Sequence, residues 1–407
     1  MSSVPYLAHA FRRPLLFVLC CAAVAGLMVL AASSANAQPR AEDLTTEGVD
    51  VPAFYAYDPP STLVVPETPV TRAKYPFIDV HNHQSRMPEQ DLGELVAAMD
   101  ELNMEVMVNL SGRGFRRIEQ PDGSFSFGFQ EPEYLGRAIE KAREEAPGRF
   151  VVFTNVDFSG VGSEGWAEAA VAQLEKDVAA GAAGLKIYKG LGLTTEDVDG
   201  KRIPTDDPRL DPIWAKCGEL GIPVLIHTGE PAPFWMPKDD QNERLLELLE
   251  RPNRYRDPAV YPSWEEIMGE QHNLFRRHPE TVFINAHLGW LGNDLAKLGE
   301  LLDELPNVYT EIGAVLAELG RQPRFARQFL TEYQDRVMFG KDSWNPEEYH
   351  TYFRVLETDD EYFPYYRRRH AFWRMYGLDL PDEVLKKLYY KNALKVIPGI
   401  DPAPFPD

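Results

Sequence analysis

Short apolar runs alternate with longer amphipathic stretches along the chain from Tyr75 onward. The runs are rich in Val, Ile, Leu, Phe and Tyr, and continuous apolar runs are typical of strands buried on both faces, as in a parallel sheet. They predict eight strands, at Phe77–His81, Val106–Leu110, Phe150–Val156, Leu185–Tyr188, Pro223–His227, Val282–Ala286, Val308–Ile312 and Val337–Gly340. We therefore expect an α/β fold.

Helical stretches fill the gaps between these runs. In Trp166–Ala180 the apolar residues fall on one face and Gly181 supplies a stop, and Asp294–Leu305 and Pro381–Val396 behave likewise. Eight strand–helix repeats predict a (β/α)₈ TIM barrel. The alternative is a doubly wound open sheet, which the lack of a Gly-x-Gly-x-x-Gly motif after the first strand disfavours.

The gap between the fifth and sixth predicted strands is much longer than the few residues that usually follow a barrel strand. It contains prolines and five aromatic residues, Phe234, Trp235, Tyr255, Tyr261 and Trp264. At the carboxyl end of a barrel, such a long loop insertion would cover the active site. A surface excursion or a homodimer contact is the alternative.

The first residues have the pattern of a secretory signal peptide. Arg12-Arg13 precede an apolar run, Leu15 to Leu30, and Ala35-Asn36-Ala37 matches a cleavage site. We expect export to the periplasm or the medium, by the general or the twin-arginine route, and no stable membrane anchor after cleavage; an uncleaved anchor is the alternative. The expected divisions are a signal peptide (1–37), a loosely ordered lead-in (38–74), the barrel (75–400) and a tail (401–407).

Charge and cysteine content limit the partners and the ligands. The formal net charge of −21 disfavours nucleic acid and anionic lipid, which leaves a small-molecule substrate as the expected partner. Cys20 and Cys21 lie in the signal peptide, so Cys217 alone remains and no internal disulfide or thiolate cluster can form. A metal would have to be held by histidine and carboxylate side chains.

Such side chains follow the predicted strands. His81 and His83 end strand one, and because strand side chains alternate with period two, both point the same way. His227 ends strand five, His287 ends strand six and Asp342 follows strand eight. Catalytic groups of a barrel project from these strand ends, so we expect the five side chains to converge.

Three imidazoles and one carboxylate suit a single divalent cation. We expect His81, His83, His227 and Asp342 to hold Zn²⁺, with Mn²⁺, Fe²⁺ or Co²⁺ as alternatives. Zinc lowers the pKa of a bound water from 15.7 to about 7, which provides hydroxide at neutral pH. His287 would orient this water or polarise the substrate, and Asp342 would take the proton and pass it to the leaving group.

These motifs, in this order, resemble the amidohydrolase superfamily over roughly Tyr75 to Ile397, and in particular the amidohydrolase-related branch that includes aminocarboxymuconate-semialdehyde decarboxylase and benzoate-type decarboxylases. The motifs are Ile78-Asp79-Val80-His81-Asn82-His83, Gly184-Leu185-Lys186-Ile187-Tyr188, His227-Thr228-Gly229, Ala286-His287-Leu288-Gly289 and Phe339-Gly340-Lys341-Asp342-Ser343. The resemblance implies the same four metal ligands and the same catalytic histidine. It covers both hydrolases and non-oxidative decarboxylases.

Some relatives carry a carbamylated lysine on strand four that bridges two metals. Lys186 or Lys189 would occupy this place, and a lysine in an ordinary ion pair is the alternative. Glu230 would either fix His227 or be a loop residue.

Substrate contacts are expected beyond the strand ends. Arg113 and Arg116 follow strand two, in a glycine-rich context that suggests a mobile loop, and would grip a carboxylate or lie on the surface. Trp290 and Trp344 would line the pocket or pack in the core.

The leading functional hypothesis is a metal-dependent hydrolase, in which activated water attacks a C–N or C–O bond of a small molecule. Non-oxidative decarboxylation on the same scaffold is the alternative, and export favours hydrolysis. A periplasmic binding protein is the third hypothesis, and the cost of burying five ionisable groups without a role argues against it.

Overall fold

All eight predicted strands are present in the computed structural model, which describes residues 59–119, 125–367 and 373–407. The strands are β1 (Phe77–Asn82), β2 (Met104–Asn109), β3 (Phe115–Glu119), β4 (Phe125–Phe129), β5 (Phe150–Val152), β6 (Thr154–Asn155), β7 (Leu185–Ile187), β8 (Val224–Ile226), β9 (Phe283–Asn285), β10 (Val308–Glu311), β11 (Val337–Met338), β12 (Phe363–Pro364) and β13 (Arg374–Met375). The predicted third strand is interrupted at Phe153, which separates β5 from β6. The predicted signal peptide lies outside the described residues.

Nine strands form two parallel sheets, ordered β1-β2-β5 and β6-β7-β8-β9-β10-β11. Backbone hydrogen bonds join the sheets at both seams. The Val80 N–H donates to the Phe339 carbonyl at 3.0 Å, and the Asp342 N–H donates to the His81 carbonyl at 2.6 Å. At the other seam, Phe153 N–H donates to β2 while the next residue donates to the Gly184 carbonyl. The carboxyl ends of the parallel strands therefore lie at a common rim.

Helices connect the parallel strands much as the amphipathic pattern predicts. They are α1 (Leu92–Leu102), α2 (Glu133–Glu145), α3 (Trp166–Ala180), α4 (Asp211–Leu220), α5 (Leu245–Glu250), α6 (Trp264–Arg277), α7 (Leu295–Glu304), α8 (Leu316–Arg321), α9 (Pro323–Glu332), α10 (Pro346–Glu357), α11 (Asp382–Lys386) and α12 (Asn392–Val396). A π-helical turn, Lys387–Lys391, joins α11 to α12, so the predicted helix Pro381–Val396 is continuous but locally widened. No helix in the described part of the chain has the length and hydropathy that crossing a membrane requires.

An aromatic cluster lies beneath the seam between β1 and β11. The Phe77 and Phe339 ring centroids are 4.8 Å apart, and the rings of Phe353 and Tyr389 pack around them. Phe77, Phe339 and Phe353 are fully buried, so each contributes on the order of 1.5–3 kcal/mol through burial. This packing fixes the first strand against the last strand directly below the predicted metal ligands.

Two segments between the parallel strands contain secondary structure of their own. Residues 115–119 and 125–129 pair as the antiparallel strands β3 and β4, directly after the Ser111–Gly114 segment whose glycines indicate a mobile loop. After β8, α6 is the helix that completes the strand–helix repeat. Residues 228–263, which lie between β8 and α6, contain α5 and two short 3₁₀ turns. The Phe234 side chain is buried in this segment, whereas Met236 and Val260 are exposed.

Candidate metal centre

His81 and His83 present their Nε2 atoms to the same carboxylate. The Nδ1 of the fully buried His81 lies 2.9 Å from Glu311 Oε1, and the Nδ1 of His83 lies 2.8 Å from Ser111 Oγ. Their Nε2 atoms lie 3.4 and 3.6 Å from Asp342 Oδ1. The alternation of the first strand thus places both imidazoles on one face, as the spacing predicts.

Asp342 is held by its backbone in an unusual conformation. Its φ of 84° lies in the left-handed region, which aspartate tolerates better than most residues. The side chain remains 34% exposed, the most accessible of this group. Burial by itself would raise the pKa of Asp342, but the hydrogen bond from His83 and the neighbouring His81 and His287 hold it well below its usual range. The carboxylate is therefore ionised and open to a ligand.

His227 pairs with His287. His227 Nδ1 lies 3.3 Å from His287 Nε2, and His287 Nδ1 lies 2.8 Å from the Gly313 carbonyl. Burial lowers the pKa of both imidazoles, that of His287 to about 4, so both are neutral at physiological pH. His227 Nε2 is buried with no hydrogen-bond partner among the described residues.

The predicted ligands are only partly gathered. Ligand atoms of His81, His83 and Asp342 lie within 4.8 Å of one another, and those of His81, His287 and Glu311 form a second such group. His227 belongs to neither group, and its assignment as a ligand stays a prediction. Imidazole nitrogen and carboxylate oxygen suit Zn²⁺ or Mn²⁺, and the unpartnered buried His227 Nε2 is the kind of atom that a cation would satisfy.

A left-handed turn carries His287 into the site. His287, Leu288, Gly289 and Trp290 have φ values of 60°, 54°, 58° and 56° in succession. A left-handed residue other than glycine costs about 1–2 kcal/mol, so the three non-glycine residues together cost roughly 3–6 kcal/mol. The turn places the Trp290 ring 4.6 Å from the His287 ring and 5.6 Å from the His227 ring, and a role of Trp290 in lining the pocket stays a prediction.

Two buried carboxylates support the site, and sequence reasoning missed both. Glu311 ends β10 and contacts His81 and the backbone of His287. Asp79 accepts hydrogen bonds from the His81 and Lys341 N–H groups, and burial raises its pKa to about 6. The period-two rule that selected His81 and His83 also places Asp79 on their face, which was the available signal.

Lys186 lies at the centre of the site. Its buried Nζ is 3.4 Å from His81 Nε2, and burial lowers its pKa to about 8. Lys189 instead forms an ion pair with Glu230 at 2.5 Å, and Arg256 contacts the same Glu230 oxygen at 3.1 Å. The Glu230 side chain therefore pairs with two cations, and Lys186 is the strand-four lysine that reaches the site.

The other predicted substrate residues have contacts of their own. Arg113 is buried and donates from Nη2 to the Gln130 carbonyl at 3.4 Å, next to the paired strands β3 and β4. Arg116 lies on β3 and pairs with Glu131 at 3.4 Å on the surface. The half-buried Trp344 ring packs 5.7 Å from the buried Tyr349 ring, at the edge of the core.

Several solved structures are distantly similar to this chain. Structures similar to the chain include an uncharacterised TIM-barrel protein from Bordetella bronchiseptica (15% identity, TM-score 0.47, covering 79% of this chain and 97% of that one). Others are a dihydroxybenzoic acid decarboxylase from Polaromonas with bound manganese (13%, TM-score 0.47, 79% and 96%) and a 4-oxalomesaconate hydratase from Rhodopseudomonas palustris (14%, TM-score 0.46, 79% and 95%).

Among curated proteins, no sequence matches this chain significantly. The amidohydrolase family model, in contrast, matches residues 78–399, which include every predicted metal ligand and every parallel strand from β2 to β11. The chain therefore belongs to the amidohydrolase family, whose members are metal-dependent enzymes.

Proposed function

We propose that this protein is a metal-dependent hydrolase that cleaves a C–N or C–O bond of a small molecule. The observation that carries the proposal is the approach of His81, His83 and Asp342 to within 4.8 Å at the strand ends, with His287 beside them. The backbone hydrogen bonds at both seams support a closed (β/α)₈ barrel around this site.

The residues divide the chemistry between them. A divalent cation, Zn²⁺ or else Mn²⁺, Fe²⁺ or Co²⁺, would supply Lewis acidity and a nucleophilic water at neutral pH. Asp342, ionised and the most exposed of the group, accepts the proton of the attacking water and returns it to the leaving group. His287, neutral and with its Nδ1–H held by the Gly313 carbonyl, keeps a lone pair on Nε2, so it orients the attacking water by accepting a hydrogen bond from it.

The surroundings of the site restrict access to it. We propose that residues 228–263 form a cover over the strand ends, supported by the hydrogen bond from Trp264 Nε1 to the Glu230 carbonyl at 3.0 Å. Trp290 forms a wall against the two imidazoles. Water exclusion by such a cover would strengthen the electrostatic interactions in the site.

Decarboxylation is the second candidate because cationic groups are available for a carboxylate substrate. The Arg113 Nε atom is buried without a hydrogen-bond partner among the described residues, and Lys186 lies within the site. Both groups would favour an anionic substrate over a neutral one.

Metal analysis and a substrate screen test these proposals together. Purified protein is assayed for bound metal and then for turnover of amides, esters, lactones and aromatic or unsaturated acids, with carbon dioxide release measured in parallel. We expect hydrolysis without carbon dioxide, and carbon dioxide release from an acid would assign the second function.

His81→Ala should lose both metal and activity, whereas His278→Ala, which changes a histidine paired with Asp211 outside the site, should keep both. Full metal occupancy in His81→Ala would reject the ligand assignment.

Export and assembly remain proposals. We propose that residues 1–37 direct the protein out of the cytoplasm and are removed, and that the mature protein acts on a small molecule either alone or as a homodimer. Mass spectrometry of the exported protein should find an amino terminus at Gln38. Retention of residues 1–37 would contradict cleavage, and size-exclusion chromatography with light scattering measures the assembly state.

A further inference from the structure

Glu311 connects the two groups of candidate metal ligands. Its side chain is fully buried at the end of β10. Oε1 accepts a hydrogen bond from His81 Nδ1 at 2.9 Å and another from the His287 N–H at 2.7 Å, while Oε2 accepts from the Gly313 N–H. The Glu311 carboxylate thus contacts β1, the turn after β9 and the residues that follow β10.

Two glycines leave the room that this carboxylate occupies. A Cβ atom at Gly313 would lie 2.6 Å from Glu311 Oε2, and one at Gly340 would collide with the same oxygen and lie 3.0 Å from His81 Cβ. Any larger residue at either position would displace the carboxylate. The backbone of two separate strand ends is therefore shaped around Glu311.

The same carboxylate holds the left-handed turn. His287 is the first of the four consecutive residues with positive φ, and its N–H donates to Glu311. Its Nδ1 donates to the carbonyl of Gly313, whose own N–H donates to Glu311. Because L-residues avoid this conformation, the turn needs such anchors to persist.

The acceptors decide which imidazole nitrogen carries the proton. Glu311 Oε1 lies at hydrogen-bond distance from His81 Nδ1 (2.9 Å), whereas the nearest donor to Nε2 is the Lys186 ammonium at 3.4 Å, so His81 carries its proton on Nδ1 and keeps the lone pair on Nε2. We propose that Glu311 is a positioning residue that sets the tautomer of His81 and anchors the His287 turn, and thereby prepares the site for its cation. The role in cation binding rests on the proposed function; the tautomer and the turn do not.

The test is Glu311→Gln, studied first without metal. ¹⁵N spectra of the imidazoles, assigned with a His81→Asn variant, should show the Nδ1–H tautomer of His81 in the wild-type protein. Glutamine keeps the shape but has a single acceptor oxygen, so the His81 signals should shift toward the Nε2–H form. In a chelator competition, the affinity for Zn²⁺ should then fall about 10–100-fold.

Two further variants separate positioning from general stability. Asp360→Asn changes another buried carboxylate, which accepts from Thr68 N–H and Arg354 Nε at 2.7 Å each. It should lower thermal stability without changing the His81 tautomer or the Zn²⁺ affinity. Gly313→Ala displaces Glu311 without altering any charge and should reproduce the Glu311→Gln shift.

The outcomes are distinct for each proposal. The positioning role is overturned by an Nε2–H tautomer of His81 in the wild-type protein, or by unchanged His81 signals in Glu311→Gln. The wild-type spectrum alone tests the tautomer if the variants do not fold. Wild-type protein that binds no divalent cation overturns the proposed metal centre instead, and leaves the tautomer result standing.

Discussion

Replacing Asp79 by alanine should loosen the seam between the first and last parallel strands. The two oxygens of this fully buried carboxylate accept from the His81 N–H at 3.0 Å, the Lys341 N–H at 3.1 Å, the Tyr349 hydroxyl at 2.6 Å and Asn82 Nδ2 at 2.9 Å. A buried N–H without an acceptor costs about 1–3 kcal/mol, so the loss of both backbone bonds should lower the free energy of unfolding by roughly 2–6 kcal/mol.

The raised pKa of Asp79 makes this loss depend on pH. Burial raises the pKa from 3.8 to about 6, so the folded state binds more protons than the unfolded state between these values. Wild-type stability therefore falls as pH rises through this window, by about 3 kcal/mol in total from this group. Alanine removes the titration, and the cost of Asp79→Ala should be larger at pH 5 than at pH 7 by roughly 1 kcal/mol.

Urea-induced unfolding of the metal-free protein, followed by far-ultraviolet circular dichroism at both pH values, measures this difference. Tyr349→Phe is the matched control, because it removes one hydroxyl and leaves both N–H bonds to Asp79, and should cost about 1 kcal/mol. A cost of Asp79→Ala below about 1 kcal/mol at pH 5, or a larger cost at pH 7 than at pH 5, would refute the assignment of Asp79 as the acceptor that joins the two strands.

Three further predictions follow from the structure. Burial lowers the pKa of His272 to about 4, so as pH falls below 6.5 the unfolded state takes up a proton that the folded state does not. The free energy of unfolding of the wild-type protein should therefore drop by roughly 3 kcal/mol toward pH 4, and this drop should be absent in His272→Gln. The same pH dependence of this free energy in both proteins, measured by urea unfolding, would contradict it. Phe339→Ala should cost about 3–5 kcal/mol in the same assay, because the ring is fully buried 4.8 Å from Phe77, and a loss under about 1 kcal/mol would show that the cluster repacks freely. Removal of metal by a chelator should abolish turnover and lower the melting temperature, with both restored by Zn²⁺, and activity that survives exhaustive chelation would exclude the proposed chemistry.

The order of the parallel strands could be predicted from the sequence because their signal is local. Continuous runs such as Val308–Ile312 are recognisable within a few residues, and each predicts a strand that is buried on both faces. The β3–β4 hairpin escaped prediction for the opposite reason. The glycines of Ser111-Gly112-Arg113-Gly114 favoured a loop, whereas the pairing of residues 115–119 with residues 125–129 depends on cross-strand contacts that a single sequence does not reveal.

The candidate site divides in the same way. His81, His83 and Asp342 lie at strand ends on one rim. The alternation of side chains along a strand and the order of the strands were therefore enough to predict that these three residues lie close together. His227 has the same local signal, but the structure pairs it with His287 at 3.3 Å, because side-chain rotation beyond the strand end decides which neighbour it meets.

The part of the site that is hardest to predict from the sequence is the left-handed turn, whose backbone conformation is energetically unfavourable. The local sequence does not indicate that His287, Leu288 and Trp290 adopt a left-handed turn, since the groups that offset its cost of roughly 3–6 kcal/mol include ones distant in sequence. Glu311 supplies one such group, and it is 24 residues away from His287. The strained turn holds the His287 imidazole and the Trp290 ring beside His227, and it is stabilised by tertiary contacts rather than by its own residues. Such strain concentrates at functional sites. The geometry of His287, more than its presence in the sequence, is therefore what supports its proposed role in the site.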